Sequence, residues 1–282
     1  MSSVKNKPNG PCPCGSKKKY KKCCFKNAKK PKFKWTDELR KEVYEQSKKA
    51  LMHAQLFYEM VENKPKLEVR PSPVHGDGVF AGEDIAPWTV ATTYPVDIVF
   101  GKHPSNSIMY GRGIDVVKDA DEALHLAKTY EMNLSPNDDV NVNRSYRITI
   151  AGHPEMRDGG VGHLLNDGGV MHKLSRSELK QYAEAIYTKV NCTSYHVGLY
   201  GIAIVTTKKI KKGEELFLSY GIPYWFEGTA YEKFYRQHKD ITFKLYKHGL
   251  AEVAKCEEAL KDLIEKTKDR KAIVDAVWSL SR

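Results

Sequence analysis

No stretch of this 282-residue chain approaches the roughly 20 consecutive apolar residues that a membrane-spanning helix requires; its apolar runs are short, such as Tyr200 to Val205. Nor does an apolar segment follow Met1-Ser2-Ser3-Val4-Lys5, so no secretory signal is expected. An intracellular protein, nuclear or cytoplasmic and without a membrane partner, is the expectation. Cysteine is scarce too. Of six cysteines, four lie within residues 12–24, while Cys192 and Cys256 stand alone, which argues against a disulfide framework. Acidic residues are missing altogether from residues 1–36, which hold twelve lysines; Asp37 is the first acid. The whole chain has 46 Lys and Arg against 35 Asp and Glu, so residues 37–282 carry 34 bases and 35 acids. The basicity therefore belongs to a tail on a neutral body. Such a tail attracts phosphates, acidic proteins or anionic lipid without sequence selectivity, or simply aids solubility.

What is present begins with that cysteine cluster. Pro11-Cys12-Pro13-Cys14-Gly15-Ser16 is followed by lysines, Tyr20 and then Cys23-Cys24. Four thiolates suit one tetrahedral Zn2+ in a closed structural site, with Gly15 and Ser16 turning the chain and lysines favouring the thiolates. A redox-labile or vicinally bonded cysteine pair is the alternative. The run resembles the SEC-C motif, a small zinc-binding module; Lys17 replaces its second glycine. The resemblance implies Cys12, Cys14, Cys23 and Cys24 as ligands and partner docking as the role.

A basic linker follows. Thr36 then reads as an N-cap, and Leu39, Val43, Ala50, Ala54, Phe57 and Val61 recur at helical spacing, predicting an amphipathic helix over 37–62. From 67 the texture changes to short β-rich runs: 67–70, 78–81, 90–100, 146–150, 197–206 and 215–220. A helix is expected over 119–132. Ser175-Arg176-Ser177-Glu178 reads as a capping box opening another through 190. Two helices are expected after Phe226, joined near Gly249. No internal repeat is visible. The pattern describes an antiparallel-rich α+β domain of about 160 residues between helical flanks.

Several central motifs are individually weak. Gly76-Asp77-Gly78 is a tight turn, Asn166-Asp167 a loop cap, and Lys212-Gly213-Glu214-Glu215 a hairpin entering a strand. Taken in order, however, they resemble the SET domain of protein-lysine methyltransferases. His75-Gly76-Asp77-Gly78-Val79-Phe80-Ala81 matches its opening G-x-G segment. Gly162 to Asp167 takes the place of its R-F-I-N-H-S segment. Lys212-Gly213-Glu214-Glu215-Leu216 with Ser219-Tyr220-Gly221 matches its closing G-E-E-L and Y-G.

That resemblance implies small β-sheets with a knot-like crossing that brings Asn166 to Tyr220. It implies S-adenosylmethionine laid against Gly76, Asp77, Gly78 and Val79 and contacted by Asn166, Asp167, Tyr220 and Trp225, with Tyr220 catalytic and a lysine of a protein such as a histone as substrate. Trp225 either stacks on the cofactor or packs in the core. The implied organisation is a zinc module and linker at 1–35, a helix at 36–66, the SET-like domain at 67–226 and helices at 227–282. Departures exist. Asp167 stands where the family usually has histidine, the helix at 176–190 is an insertion, Leu218 replaces an aromatic, and no closing cysteine cluster follows. These leave a catalytically silent adaptor and a basic nucleic-acid-binding protein as alternatives.

Overall fold

The computed structural model describes residues 34–103, 106–111, 130–133, 147–197, 201–226 and 229–269. The four clustered cysteines and most of the helix expected at 119–132 lie outside these.

Helix α1 (Asp37–Met60) begins where its cap predicts. Thr36 Oγ1 accepts the Leu39 amide at 3.3 Å, and Asp37 and Glu38 fill the first turn. Among the described residues, eleven short strands follow. Strands β1 (Leu67–Pro71) and β2 (Asp77–Ala81) form an antiparallel pair. Strand β3 (Val90–Thr93) lies beside β10 (Gly201–Thr206), which also pairs with β9 (Cys192–Val197). Strands β4 (Ile98–His103), β5 (Asn106–Tyr110), β6 (Glu131–Asn133) and β7 (Arg147–Ala151) make a four-stranded antiparallel sheet in the order β5-β4-β7-β6. The two-residue strands β8 (Asn166–Asp167) and β11 (Phe217–Leu218) pair in parallel.

Every residue of β10 is buried, which makes it the spine of the core. Its Ile202 and Ile204 share one cluster with Ile148, Ile150, Ile210 and Leu216. Full burial of each such side chain contributes about 1.5–3 kcal/mol. Helix α1 lays Val43 and Ala50 on this core. Gly101 permits the approach, since a Cβ there would lie 2.9 Å from both the Trp35 and Val43 side chains.

Some boundaries differ from expectation. The run 90–100 divides into β3 and β4 at Tyr94-Pro95, where proline offers no N–H to a ladder. Of the helix expected at 119–132, Tyr130 is helical, whereas Glu131 and Met132 belong to strand β6, paired with β7. Helix α2 (Arg176–Thr188) is capped as predicted, with Ser175 Oγ accepting the Glu178 amide at 3.2 Å. The capping box is only half made, because Glu178 accepts the His172 and Lys173 amides instead of reaching back to Ser175. A short helix α3 (Ile222–Trp225) precedes α4 (Thr229–Gln237) and α5 (Lys239–Ala259). The junction expected at Gly249 is at His238, and Gly249 lies inside α5. A glycine there weakens the helix by only about 0.5–1 kcal/mol, too little to break it. A further helix runs over 261–269.

Candidate active site

The site is built where three backbone segments meet. The first is the turn between β1 and β2. Gly76 takes a φ of +49°, a conformation that favours glycine, and a Cβ there would meet nothing within 4 Å. Gly78 is glycine for a different reason: a side chain there would overlap the carboxylate of Glu215. That carboxylate bolts two segments together. Glu215 Oε2 accepts the Ser72 hydroxyl at 3.0 Å and Oε1 accepts Asn166 Nδ2 at 3.0 Å. The same Nδ2 donates to the His75 and Asp77 carbonyls at 3.1 and 3.2 Å, so Asn166 holds both sides of the glycine turn.

The second and third segments are β8 and β11. Their parallel register sets Asn166 beside Phe217 and Asp167 beside Leu218. Asn191 braces the edge: its side chain donates to the Glu215 carbonyl at 2.9 Å and accepts the Phe217 amide at 2.8 Å. Asp167 is buried at 4% exposure and collects four donors. Oδ1 accepts the Gly169 amide at 3.0 Å. Oδ2 accepts the Tyr182 hydroxyl at 2.8 Å, the Tyr220 amide at 3.0 Å and Trp225 Nε1 at 3.2 Å. Burial pushes the Asp167 pKa up, and these donors pull it back by favouring the ionised form.

Between the segments lies a cavity of about 480 Å³, whose wall includes Gly76, Asp77, Asn166, Asp167, Tyr220 and Trp225. Its aromatic side is continuous: the Tyr220 and Tyr224 rings meet edge-on at 4.6 Å, and Tyr224 meets Trp225 at 5.2 Å. The Tyr220 hydroxyl donates to the Leu165 carbonyl at 2.7 Å. Burial, with smaller contributions from neighbouring tyrosines and Asp167, holds its pKa well above the usual phenol value. Tyr130 and His163 also line the cavity. His163 Nε2 faces the His153 carbonyl at 3.0 Å, which makes it the protonated nitrogen, and Nδ1 has no partner among the described residues. Burial, helped by Arg157, lowers the His163 pKa to about 3, so the ring is neutral.

Residues 76–221 match the SET domain, which is more than half of the chain. The chain belongs to the SET domain family. Residues 9–26 match the SEC-C motif. No curated protein matches the chain. Among solved structures it is similar to ATXR5 in complex with histone H3.1 mono-methylated on R26, at 20% identity and a TM-score of 0.34, over 56% of this chain and 58% of that one. A second structure, the ATXR5 SET domain with histone H3 di-methylated on R26, matches at 20% identity and a TM-score of 0.32, over the same shares. The chain thus spans under two thirds of these neighbours. Nothing in the matches supports the nucleic-acid alternative.

Within this SET domain six of the eight residues expected to meet a cofactor share the cavity. Gly78 and Val79 do not line it. Val79 is fully buried in the main core, and Gly78 makes room for Glu215. Trp225 belongs to both settings, since it borders the cavity and packs against the cluster of Leu179, Tyr182 and Ile222. Tyr130, His163, Tyr182, Tyr224 and Glu215 were not expected to take part. Glu215 was within reach of inference, as a second carboxylate after a turn glycine in a strand that otherwise enters the core. Tyr182 was legible only as a buried helix position.

Proposed function

We propose that the protein transfers a methyl group from S-adenosylmethionine to a lysine side chain of a protein substrate. The observation that carries this reading is the cavity at the junction of the glycine turn, β8 and β11, walled by Tyr220, Tyr224 and Trp225. Family membership supports it, because SET domains are generally methyltransferases. The parallel pairing of β8 with β11, which brings Asn166 beside Phe217, supports the knot-like crossing that the family resemblance implies.

The residues present fit the cofactor. Gly76 leaves open space on the cavity wall, the volume of about 480 Å³ lies within the range of small-molecule sites, and the buried carboxylate of Asp167 complements a cation. Gly76, Asp77, Asn166, Asp167, Tyr220 and Trp225 are the residues that would hold it. When bound, S-adenosylmethionine supplies an electrophilic methyl group on a positively charged sulfur. The chain has two tasks, positioning and desolvation. The lysine ammonium, with an ordinary pKa of about 10.4, must lose a proton to solvent before it attacks. On the side formed by Tyr220, Tyr224 and Trp225, desolvation disfavours the charged amine. Tyr220 stays protonated, so it is not the base. Its proton is committed to Leu165, which leaves its oxygen as an acceptor that can orient the amine for in-line attack.

The N-terminal module is proposed to hold one structural Zn2+ through Cys12, Cys14, Cys23 and Cys24, a donor set of the sulfur type that zinc prefers. Its role in this reading is docking to the substrate protein or its assembly, with the organisation 1–35, 36–66, 67–226 and 227–282 and a nuclear or cytoplasmic setting. Incubation with labelled S-adenosylmethionine and a panel of histones and ribosomal proteins tests the function. Label appearing on lysine supports it, and a wild-type protein inert on every substrate favours the silent adaptor.

A further inference from the structure

Two departures from the family pattern meet at one hydroxyl group. Helix α2 is the insertion, and Asp167 stands where the family usually carries histidine. Tyr182 is buried on α2, with 1% exposure, and its ring fits because Gly169 has no side chain; a Cβ there would lie 2.7 Å from it. Its hydroxyl proton goes to Asp167 Oδ2 at 2.8 Å. Its oxygen accepts the Gly221 amide at 3.0 Å and lies 3.2 Å from Ser219 Oγ. One donor and two acceptor positions exhaust what a phenol offers, so the hydroxyl is fully satisfied inside the protein. Asp167 Oδ2 meanwhile takes the amide of the residue between them, Tyr220.

Three consecutive residues, Ser219, Tyr220 and Gly221, are therefore each gripped by one member of the Tyr182–Asp167 pair. They sit at the end of β11, where Gly221 has a φ of +80° and the chain turns away. A two-residue strand cannot hold such an end by its own ladder. The same carboxylate oxygen also fixes Trp225 through its indole N–H. Helix α2 is anchored in turn by Leu179 and Ile186, packed with Met171, Ile222 and Phe234.

We propose that Tyr182 and Asp167 form one positioning unit that fixes the Tyr220 backbone for methyl transfer, so that the inserted helix is part of the working site. This rests on the methyltransferase reading above. Tyr182 does not border the cavity and acts through Asp167, Ser219 and Gly221, while Asp167 both borders it and fixes the Tyr220 amide and Trp225. Removing the Tyr182 hydroxyl leaves the apolar packing of α2 intact but frees the Gly221 amide and one lone pair of Asp167.

The test compares wild type, Tyr182→Phe, Asp167→Asn and the double variant, with Tyr187→Phe as a control. Tyr187 lies on the same helix, about half exposed and away from the cavity. Single-turnover rate, kcat, KM, S-adenosylhomocysteine affinity and melting temperature are measured for each. The expected result for Tyr182→Phe is a kcat lower by about 10- to 100-fold, since small misplacements at a reacting centre reach that size, with KM within about 2-fold. The double variant should be no slower than Asp167→Asn alone, because the two residues act as one unit. The control should match wild type. An unchanged kcat in Tyr182→Phe, or losses that multiply in the double variant, overturns the proposal. So does a loss of rate that only tracks the melting temperature. If the wild type transfers no methyl group, the function reading fails instead. S-adenosylhomocysteine affinity then judges the unit by itself: non-additive losses keep it, and additive or absent losses overturn it.

Discussion

The hydroxyl of Tyr220 donates to the carbonyl of Leu165 at 2.7 Å, joining two residues that lie 55 positions apart. The bond fixes the direction of the phenol proton and leaves oxygen lone pairs as the polar feature this ring can present to an amine. It also makes the hydroxyl structural, so its removal has two separable consequences.

Tyr220→Phe should leave the Leu165 carbonyl short of a partner and lower stability by about 1–3 kcal/mol. Turnover should fall much further, on the order of 100-fold, with S-adenosylmethionine affinity nearly intact. Single-turnover methylation with melting temperatures as controls separates the two. Equal rates would remove Tyr220 from the mechanism.

In the proposed reading, Asn166 shapes the cofactor site through the turn it holds. Deleting its amide in Asn166→Ala releases the His75 and Asp77 carbonyls and the Glu215 carboxylate. S-adenosylmethionine affinity should drop by roughly 5- to 150-fold, the equivalent of about 1–3 kcal/mol. Calorimetry on the folded variant reads this directly, and an unchanged affinity would separate the turn from cofactor binding.

The two turn glycines should respond differently to alanine. Gly76→Ala meets open space and a left-handed backbone, a cost of about 1–2 kcal/mol. Gly78→Ala instead forces the Glu215 carboxylate out of place, which breaks its bonds to Ser72 and Asn166. Its loss should be the larger, about 1–3 kcal/mol from overpacking with the broken bonds in addition. Denaturant melts of both variants check the order.

Stability should fall on acidification through His163. Its folded pKa, near 3, lies below the ordinary histidine value of about 6.5. Between these values the unfolded chain binds the extra proton, so stability is full above about pH 6.5 and is lost as the pH falls toward 3. Asp167, with its raised pKa, works in the opposite sense over the carboxylate range. Melting temperatures from pH 7.5 to 5 should therefore decline less steeply in His163→Leu than in wild type.

Purified protein should contain about one zinc, lowered by Cys23→Ser and abolished when all four clustered cysteines are serine. Removing residues 1–35 should weaken binding to a protein partner while sparing methyl transfer to a short peptide. Both are read by metal analysis and by peptide kinetics.

Much of this was legible in the sequence because it is local. Thr36 and Ser175 announce their helices through side chains that cap within three residues, and the glycine turns at 76–78 and 213 are short patterns with one main solution. What was not legible is non-local. The position of Gly249 suggested a break, but helix α5 continues through it and the chain breaks at His238, where no glycine or proline marks the place. Residue type alone did not say that Gly78 yields its space to Glu215 rather than to a ligand. Tyr182 looked like any buried helix tyrosine, because its significance depends on Asp167, Ser219 and Gly221 arriving from elsewhere.

Strands β8 and β11 are two residues each and join positions about fifty apart in the chain. Their pairing closes a long loop that contains helix α2 and the pair β9 and β10. The entropy of that closure is met before the pair contributes anything. Catalytic competence should consequently appear after most of the protein has already collapsed. It should also vanish first under mild denaturant, while far-ultraviolet circular dichroism still reports an intact chain.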